Sequence, residues 1–555
     1  MVSYSDYLKA NNYLTDEQTR HIFLKCTEKN WSFFKALKVS GYLENKVMIE
    51  TSCSFYNLHR IINPYILEQD EPALKKMGTI FTLADKNTFP ILDKETLQKY
   101  ILIPDPDDTE YLNRIKERFS EKVQFALADE DVTAIIYSKI INPILINKRA
   151  EMLTSKPSEG SQSIVVQARM ADTDAQKLYQ TLIESAITSR ASDLSIVPLS
   201  NIANVNFRVD GRLRHYSTIS KDALSSIRNI LINEAQVGDD KPYKPIDGKA
   251  KFQYRNSLID MRISIMPSKL GPDINIRFLN NNIKTLEDLG ISDVNMEHCR
   301  KYLNMTSGLV LVTGPTGSGK STTVYSILDE IMKQNTRRVM TIEDPVEITY
   351  EGMIQIDIKE ASGFKYEDAI KATMRHDPDV LLIGEIRDYN VAMEAIRASD
   401  TGHLVFSTLH TKDAVGAFPR LLNLGVDGYS IGEVLVAVIS QRLVRRICPN
   451  CLEEYDLDIN DSRRKIFGLG DEPIRIAKGR GCSECEETGY KGRIAINEIL
   501  EVTPAFKEIL QNKATRMEMN QILKKNNYRT LIDDGVNKVL NHLTTFEEII
   551  PYIQQ

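Results

Sequence analysis

A glycine-rich stretch in the second half of the chain has residue types and spacing suited to binding phosphate. Val310–Thr323 reads VLVTGPTGSGKSTT, in which Gly314, Gly319, Lys320 and Ser321 fit the pattern G-x-x-x-x-G-K-[ST]. An apolar run precedes it and a helical pattern follows it, as a phosphate-binding loop requires. At such a helix start, backbone N–H groups can surround phosphate oxygens, the lysine can reach the β- and γ-phosphates, and the serine hydroxyl can ligate Mg²⁺. The stretch predicts a site for ATP and Mg²⁺; the alternative is a glycine-rich turn that binds nothing.

The residues predicted to hold the nucleotide form one continuous loop, and the serine within it is also the predicted Mg²⁺ ligand. They are Gly314, Pro315, Thr316, Gly317, Ser318, Gly319, Lys320, Ser321 and Thr322.

Three further stretches place polar groups after apolar strands. They read TIEDPVE (Thr341–Glu347), RHDPDVLLIGEIRD (Arg375–Asp388) and TGHLVFSTLHTKDA (Thr401–Ala414). In a parallel sheet, polar groups at the carboxyl ends of neighbouring strands gather on one side. Glu385 is therefore the first candidate for the base or water-positioning group, and Glu347 is the second. The alternative for TIEDPVE is a charged turn stiffened by its proline.

Two histidines lie near the ends of the apolar run HLVFSTLH. His410, like His403 at the other end, could sense the γ-phosphate. A core histidine with satisfied hydrogen bonds is the alternative for each.

Four of the seven cysteines form two closely spaced pairs. Cys448 and Cys451 make one C-x2-C pair, and Cys482 and Cys485 make the other. Four thiolates paired in this way suit one tetrahedral Zn²⁺, with redox dithiols as the alternative. The other three cysteines stand alone and are expected in the core.

Length and composition indicate a multidomain globular protein. The chain has 555 residues, and ~150 residues per domain predicts about three or four domains. Its net charge of −6 gives no general reason to expect nucleic-acid binding. We see neither a signal sequence nor a stretch apolar enough to span a bilayer, so we expect a cytoplasmic chain unless a partner tethers it.

Changes of pattern along the chain predict its domains. Helical spacing followed by mixed strands and helix indicates an N-terminal helical and α+β docking domain over residues 1–150. The Ser-, Pro- and Gly-containing TSKPSEGSQS indicates a flexible linker over 151–168, and alternating strands around one helix predict an α+β domain over 169–282. The remainder is predicted to form a nucleotide-binding domain over 283–555, with the cysteine module over 446–497 and C-terminal helices over 498–555.

Taken together, these motifs resemble those of the secretion ATPase superfamily of type II secretion and type IV pilus systems. The Walker A loop, the Asp box TIEDPVE, the variant Walker B GEIRD and the His box TGHLVFSTLHTKDA follow that family's order. The resemblance includes ASDLSIVP, FRVDGRL, DMRIS, IRFL and TGYKGRIAINEIL, and so covers Thr173–Leu500. It implies a multidomain α/β fold: a RecA-like P-loop ATPase domain with a small zinc-binding insertion, preceded by a PAS-like α+β domain and the docking domain.

The resemblance also implies a ring of six subunits in which the second domain lends arginines to the nucleotide at the subunit interface. Arg262 in DMRIS and Arg277 in IRFL stand at those positions. Their charge would stabilise the γ-phosphoryl oxygens in the transition state. Without the resemblance, two strand arginines in surface ion pairs would be the simpler interpretation. Asn206 departs from the pattern, because many relatives carry an arginine there.

Within this family, the cysteine module and the N-terminal domain mark the ATPases of secretion and pilus extension. Some relatives bind cyclic di-GMP through R-L-G-x-x-L motifs, but SDYLKANNYL lacks the arginine and the glycine, so we expect no cyclic di-GMP binding. The implied partners are further copies of the chain in a homohexamer, an inner-membrane platform protein, and a cytoplasmic or inner-membrane adaptor bound to the N-terminal domain.

The resulting prediction is a cytoplasmic ATP hydrolase, peripherally associated with the inner membrane, that rotates the platform protein to assemble a type IV pilus or a type II secretion pseudopilus. One alternative is a RecA-like nucleic-acid translocase or helicase, against which the acidic charge balance stands. The other is a nucleotide-binding scaffold that no longer hydrolyses ATP, against which the presence of Lys320, Glu385 and His410 stands.

Overall fold

The chain divides into two units, Met1–Phe278 and Leu279–Gln555, in a computed structural model. No helix among the described residues has the length and apolar character needed to cross a bilayer. The described residues are 3–29, 31–77, 88–117, 119, 124–146, 164–235, 244–279, 283–358, 363–511, 516–526 and 528–553.

The first part of the N-terminal unit consists of helices followed by a sheet with strand order β1-β5-β4-β3-β2. Its first helix begins with a reciprocal cap, because the Ser3 side chain accepts from the Asp6 N–H while the Asp6 carboxylate accepts from the Ser3 N–H. The elements are α1 (Tyr4–Ala10), α2 (Asp16–Lys29), α3 (Phe33–Ser40), α4 (Asn45–Tyr56), β1 (His59–Ile61), β2 (Leu67–Gln69), α5 (Glu71–Met77), β3 (Phe89–Asp93), β4 (Lys99–Leu102), α6 (Thr109–Lys116), β5 (Gln124–Ala128) and α7 (Glu130–Ile136).

The second part of this unit is an α+β domain in which buried and exposed side chains alternate along the strands. Its sheet has the order β8-β7-β6-β11-β10-β9, and apolar residues on one face pack with both of its helices. Alternation leaves Arg262 and Arg277 on the other, exposed face, because their sequence neighbours Met261, Ile263 and Ile276 are buried. The elements are α8 (Ile164–Thr188), β6 (Asp193–Pro198), β7 (Ile202–Val209), β8 (Arg212–Ser220), α9 (Lys221–Glu234), β9 (Ile246–Tyr254), β10 (Ser257–Ser268) and β11 (Gly271–Leu279).

The two parts of this unit are joined by hydrogen bonds. Helix α8 begins at Ile164, inside the linker predicted over 151–168, and residues 151–163 lie outside the described residues. Asn142 Nδ2 donates to Ser185 Oγ at 2.8 Å, and the Tyr216 hydroxyl donates to the Ser138 carbonyl at 2.6 Å. A helix therefore occupies the end of the predicted linker range, and the segment that contains Ser138 and Asn142 packs directly on the α+β domain.

The second unit is built on a sheet with strand order β14-β13-β15-β16-β12-β17-β20. Its pairings are parallel except that of β17 with β20, which is antiparallel. Strands β12, β13, β15 and β16 are apolar runs buried along their whole length, as parallel strands covered on both faces require. The elements up to β17 are α10 (Asp293–Leu303), β12 (Gly308–Thr313), α11 (Lys320–Lys333), β13 (Val339–Glu343), β14 (Ile354–Asp357), α12 (Tyr366–Thr373), β15 (Val380–Ile383), α13 (Tyr389–Asp400), β16 (Leu404–Leu409), α14 (Ala417–Asn423), α15 (Gly428–Val434) and β17 (Leu435–Ile447).

The cysteine pairs lie on the chain between β17 and β20. Both predicted boundaries of the cysteine module fall within strands, because β17 continues past residue 446 and β20 continues past residue 497. The helices predicted from residue 498 begin at Pro504. The remaining elements are β18 (Leu452–Asp456), α16 (Ser462–Ile466), β19 (Arg475–Gly479), β20 (Tyr490–Glu501), α17 (Pro504–Gln511), α18 (Arg516–Lys525), α19 (Leu531–Leu540) and α20 (Phe546–Ile553).

Candidate nucleotide site and metal centre

The predicted phosphate-binding loop connects β12 to the start of α11. Gly314, Gly317 and Gly319 have positive φ angles of 150°, 78° and 88°, which favour glycine. A Cβ atom on Gly314 would lie 2.6 Å from the Gln441 carbonyl oxygen, so no larger residue fits there. Residues 315–317 are exposed at the tip of the loop, and Ser321 and Thr322 are half-buried in the first turn of the helix.

Lys320 turns its ammonium group back over this loop. Its Nζ donates to the carbonyl oxygens of Gly314 at 2.8 Å and Pro315 at 3.2 Å. Burial lowers the pKa of Lys320, and the nearby Glu385 carboxylate opposes that shift. A partly desolvated cation beside a helix N-terminus is suited to exchanging these carbonyls for phosphate oxygens.

Glu385 and His410 face each other where their strands end. His410 Nε2 lies 3.6 Å from Glu385 Oε1. Arg387 Nε lies 3.4 Å from Glu385 Oε2, and Arg387 Nη1 lies 3.1 Å from Asp344 Oδ2. Burial and then Lys320 lower the pKa of His410, although Glu385 opposes them, so the imidazole is neutral at about pH 7. The ends of β13, β15 and β16 thus form one polar cluster, as the sequence of parallel strands predicts.

The Asp box contributes a buried carboxylate that the sequence interpretation missed. Glu343 Oε1 accepts hydrogen bonds from the Tyr325 hydroxyl at 2.6 Å and from Thr341 Oγ1 at 2.7 Å. Burial raises the pKa of Glu343, and these two hydrogen bonds oppose the rise. Glu347, the second candidate base, is exposed at the other end of the box. The sequence did contain a signal for this residue, because Glu343 is the last residue of an apolar strand, where a carboxylate is expected to be buried and hydrogen-bonded.

His403 lies apart from this polar cluster, at the start of β16. Its Nδ1 lies 3.0 Å from the Ala398 carbonyl oxygen and 3.3 Å from Thr401 Oγ1. These contacts fit the interpretation of a histidine with satisfied hydrogen bonds.

A second residue that the sequence interpretation missed touches the loop from β17. Gln441 Nε2 donates to the Ser318 carbonyl oxygen at 2.8 Å, and Thr323 Oγ1 donates to Gln441 Oε1 at 2.7 Å. No motif marks this glutamine, because it lies far from the loop along the chain.

The two predicted finger arginines belong to the first unit, whereas the loop belongs to the second. Arg277 Nε lies 2.8 Å from Asp193 Oδ1, and Arg208 Nε lies 3.6 Å from Asp193 Oδ2. Asp193 is nearly buried between these two exposed arginines, on the strand next to both of theirs. Arg262 is exposed on the same face of the sheet. Their role at a nucleotide stays a prediction.

The four paired cysteines come together in one cluster, with all four Sγ atoms within 4.8 Å of one another. The Sγ–Sγ distances are 3.9 Å for Cys448 and Cys482, 3.8 Å for Cys451 and Cys485, and 3.7 Å for Cys482 and Cys485. Zn–S bonds of ~2.3 Å in a tetrahedron separate sulfur atoms by ~3.8 Å, whereas disulfide sulfurs lie ~2 Å apart. The spacing therefore fits a tetrahedral Zn²⁺ site and does not fit disulfides.

Backbone N–H groups also point at this cluster. The N–H groups of Cys482 and Gly489 donate to Cys485 Sγ, each at 3.2 Å. Burial raises the pKa of the Cys485 thiol, but these N–H groups and the hydrogen bonds from the Cys482 and Cys451 side chains together outweigh it and lower the pKa to about 7. A thiolate is the form that binds metal, so the surroundings of Cys485 favour the ligand form.

Comparison with known proteins assigns this arrangement to a family. A family profile described as "Type II/IV secretion system protein" matches residues 169–551. The chain belongs to the secretion ATPase superfamily. Its curated relatives support the extension-type branch, as the sequence predicted, and the ATPases named among them make ATP hydrolase its enzyme class.

Two relatives show how far the similarity of this secretion ATPase extends. It is 34% identical over 460 residues to the type IV pilus assembly ATPase PilB of Thermus thermophilus, an alignment that spans 81% of this chain but 51% of that protein. It is 36% identical over 377 residues to the type II secretion system ATPase E of Vibrio cholerae, over 67% of this chain and 74% of that protein.

A solved structure supports the mixed α/β fold of this secretion ATPase. The Legionella pneumophila ATPase DotB superposes with a TM-score of 0.52 at 20% identity, over 72% of this chain and 98% of that one. At this identity the likeness shows the fold alone.

Proposed function

We propose that this chain is a hexameric ATPase motor that assembles a type IV pilus or a type II secretion pseudopilus. The observation that carries the proposal is the arrangement of Lys320, Glu385 and His410 at the carboxyl ends of adjacent parallel strands, in a chain of the secretion ATPase superfamily. A RecA-like fold for the ATPase domain and a PAS-like fold for the preceding α+β domain are parts of this proposal.

ATP would bind along the loop from Gly314 to Thr322. The backbone N–H groups of the loop and the Lys320 ammonium would hold the phosphates, and Ser321 would hold Mg²⁺, which neutralises charge on the β- and γ-phosphates. Glu385 would position the attacking water, because its carboxylate is half-buried and follows the strand beside the one that leads into His410. The neutral His410 would detect the presence of the γ-phosphate by forming a hydrogen bond with it.

Arginines of a neighbouring subunit would complete the site. Arg262 and Arg277 are exposed on one face of the α+β domain, and Asp193 already orients Arg277 at 2.8 Å. A guanidinium supplied across a mobile interface would stabilise transition-state charge on the γ-phosphoryl group. ATP turnover would then depend on movement between subunits, as a motor requires.

The cysteine cluster would hold one structural Zn²⁺ through Cys448, Cys451, Cys482 and Cys485. A fully thiolate-ligated Zn²⁺ supplies no redox chemistry and has no open position for a substrate. Its contribution would be to fix the module between β17 and β20.

The motor would act at the cytoplasmic face of the inner membrane. The relatives named above are a pilus assembly ATPase and a secretion ATPase, which supports an inner-membrane platform protein as the driven partner and an adaptor bound by the N-terminal domain.

The test is complementation of a strain from which the gene has been deleted. The wild-type chain is expected to restore surface pili or secretion, and Lys320→Ala is expected to restore neither while accumulating to the same level. Lys333→Ala is the matched control, since Lys333 is an exposed lysine of the same helix paired only with Asp329 and Glu330 in the described contacts. Unchanged pili and secretion in the deletion strain would reject the proposal, and stimulation of the purified ATPase by DNA or RNA would favour a translocase.

A further inference from the structure

We propose that Gln441 is a positioning residue for the phosphate-binding loop, which it holds in its binding shape through a two-sided clamp between Ser318 and Thr323. This inference rests on the proposed binding of ATP to that loop. It assigns a role in nucleotide affinity to a strand residue outside all four family motifs.

The clamp uses both ends of the glutamine side-chain amide. Nε2 donates to the Ser318 carbonyl oxygen at 2.8 Å, and Oε1 accepts from Thr323 Oγ1 at 2.7 Å. Gln441 is 1% exposed and Thr323 is fully buried, so water does not compete for either hydrogen bond. One amide therefore ties the loop before Gly319 to the helix after Ser321.

The position of Gln441 follows from the strand register. Thr313, the last residue of β12, pairs with Ser440 on β17. Gln441 is the next residue along β17, and so lies beside the point where the chain leaves β12 to form the loop. A Cβ atom on Gly319 would lie 2.7 Å from Gln441 Nε2, which shows that the loop backbone packs directly on this side chain.

The clamp matters because the glycines of the loop make its backbone intrinsically flexible. Its three glycines with positive φ lack side chains and have the largest conformational freedom of any residue. Phosphate binding requires the loop N–H groups to point inward together, and any ordering that occurs on binding weakens affinity. A loop already ordered by Gln441 avoids that cost.

This reasoning predicts an effect on binding rather than on the chemical step. Gln441 touches neither Glu385 nor His410 in the described contacts, so a loosened loop weakens ground state and transition state alike. A glutamine that merely fills the core would instead lower stability and leave the affinity of the folded protein unchanged.

The experiment compares four variants of the full-length chain. Gln441→Met keeps the side-chain volume and removes both hydrogen bonds; Thr323→Val keeps the shape and removes one. Thr323→Ser retains the hydroxyl group. Thr373→Val is the matched control, because Thr373 on α12 is a buried threonine whose hydroxyl donates to the Ala369 carbonyl at 2.7 Å, outside the loop.

Three quantities are measured for each variant: the Kd of a fluorescent ATP analogue with Mg²⁺, the kcat and KM of ATP hydrolysis, and the Tm without nucleotide. We expect Gln441→Met and Thr323→Val each to raise Kd and KM by ~10-fold, the effect of losing a buried hydrogen bond, with kcat at saturating ATP little changed. Thr323→Ser is expected to recover most of the affinity lost in Thr323→Val. Thr373→Val is expected to lower Tm without raising Kd.

Unchanged Kd in Thr323→Val and Gln441→Met overturns the inference, as does an equal rise of Kd in Thr373→Val. If Gln441→Met does not fold, the comparison of Thr323→Val with Thr323→Ser decides alone. A Lys320→Ala chain separates this inference from the proposed function. If Lys320→Ala binds nucleotide normally, the proposed nucleotide site is wrong. If Lys320→Ala loses binding but the clamp variants keep an unchanged Kd, only the clamp is rejected.

Discussion

Glu385 Oε1 and His410 Nε2 lie 3.6 Å apart, although they come from different strands. Strands β15 and β16 pair in parallel with Ile383 opposite Ser407, so both side chains follow strand ends on the same side of the sheet. The Glu385 carboxylate therefore favours the protonated form of His410, although burial and Lys320 outweigh it.

Replacing Glu385 by Gln should slow the chemical step. The substitution keeps size and hydrogen-bonding capacity but removes the charge that positions and polarises water, so we expect kcat to fall by ~10²-fold or more while ATP still binds. Steady-state hydrolysis and equilibrium binding of a fluorescent ATP analogue measure the two effects. Glu347→Gln, a change of the exposed acid in the Asp box, is the comparison. If Glu385→Gln turns over normally and Glu347→Gln does not, the base is Glu347.

The histidine of this pair should make stability depend on pH. The folded protein holds the pKa of His410 below its ordinary value of 6.5 through burial and Lys320, so the unfolded chain binds the proton more readily. The free energy of unfolding contributed by the neutral imidazole is thus present above pH 6.5 and is lost as pH falls through the folded pKa. Urea unfolding of wild type and His410→Gln between about pH 7.5 and pH 5 tests this. The free energy of unfolding of wild type minus that of the variant should decrease toward low pH. An increase of this difference toward low pH would contradict the prediction.

Activity should require two subunits if Arg277 and Arg262 act across an interface. Arg277→Ala or Arg262→Ala should reduce kcat by ~10³-fold, with a much smaller change in nucleotide affinity. Mixing Arg277→Ala chains with Lys320→Ala chains should restore part of the activity, because an intact lysine then meets an intact arginine. A mixture that stays inactive, with activity per chain independent of concentration, assigns both arginines a structural role.

The ion pair of Arg277 makes this test easy to interpret. The Arg277 side chain is 53% exposed, and its nearly buried partner Asp193 still has Arg208 and the Ser192 hydroxyl as partners, so Arg277→Ala should lower Tm only slightly. Arg255→Ala is the matched control, since Arg255 is a half-exposed arginine of the same domain that pairs with Asp131 at 3.0 Å. A large loss of kcat in Arg255→Ala would show that any arginine removed from this domain impairs turnover.

Zinc content should follow the cysteine cluster. We expect one Zn²⁺ per purified chain and none in a Cys448→Ser, Cys482→Ser double variant, because each C-x2-C pair then retains a single thiolate. Elemental analysis of chains purified without added metal measures this. Cys299→Ala, which removes a buried cysteine outside the cluster, should retain the zinc. Zinc retained by the double variant would place the metal elsewhere.

The parts of the site that were predicted from the sequence are those formed by residues close together along the chain. The loop, the helix after it and the cysteine pairs are local patterns, since each depends on residues a few positions apart. The meeting of Glu385 and His410 also followed from sequence, because parallel strands align their carboxyl ends.

The parts that could not be predicted depend on contacts between distant segments. Gln441 lies 118 positions from Thr323, and nothing near it in sequence indicates which strand it will border. Glu498 is similar: its buried carboxylate accepts from the Ala414 N–H at 2.6 Å and from the Leu531 N–H at 3.1 Å, which joins three segments through one side chain. Pairings of this kind depend on strand order and register, which alternation of apolar residues does not specify.

Strand β17 has β12 on one side and β20 on the other, and the cysteine module is the chain that connects β17 to β20. During synthesis, β17 therefore emerges before the strand that covers its outer side, and its N–H and C=O groups stay open until the module has folded back. An apolar strand with unpaired backbone N–H and C=O groups is a template for pairing with other chains. A chain whose module fails to close should consequently aggregate as it is made, so that loss of the cysteines reduces the yield of protein before it reduces the activity of what remains.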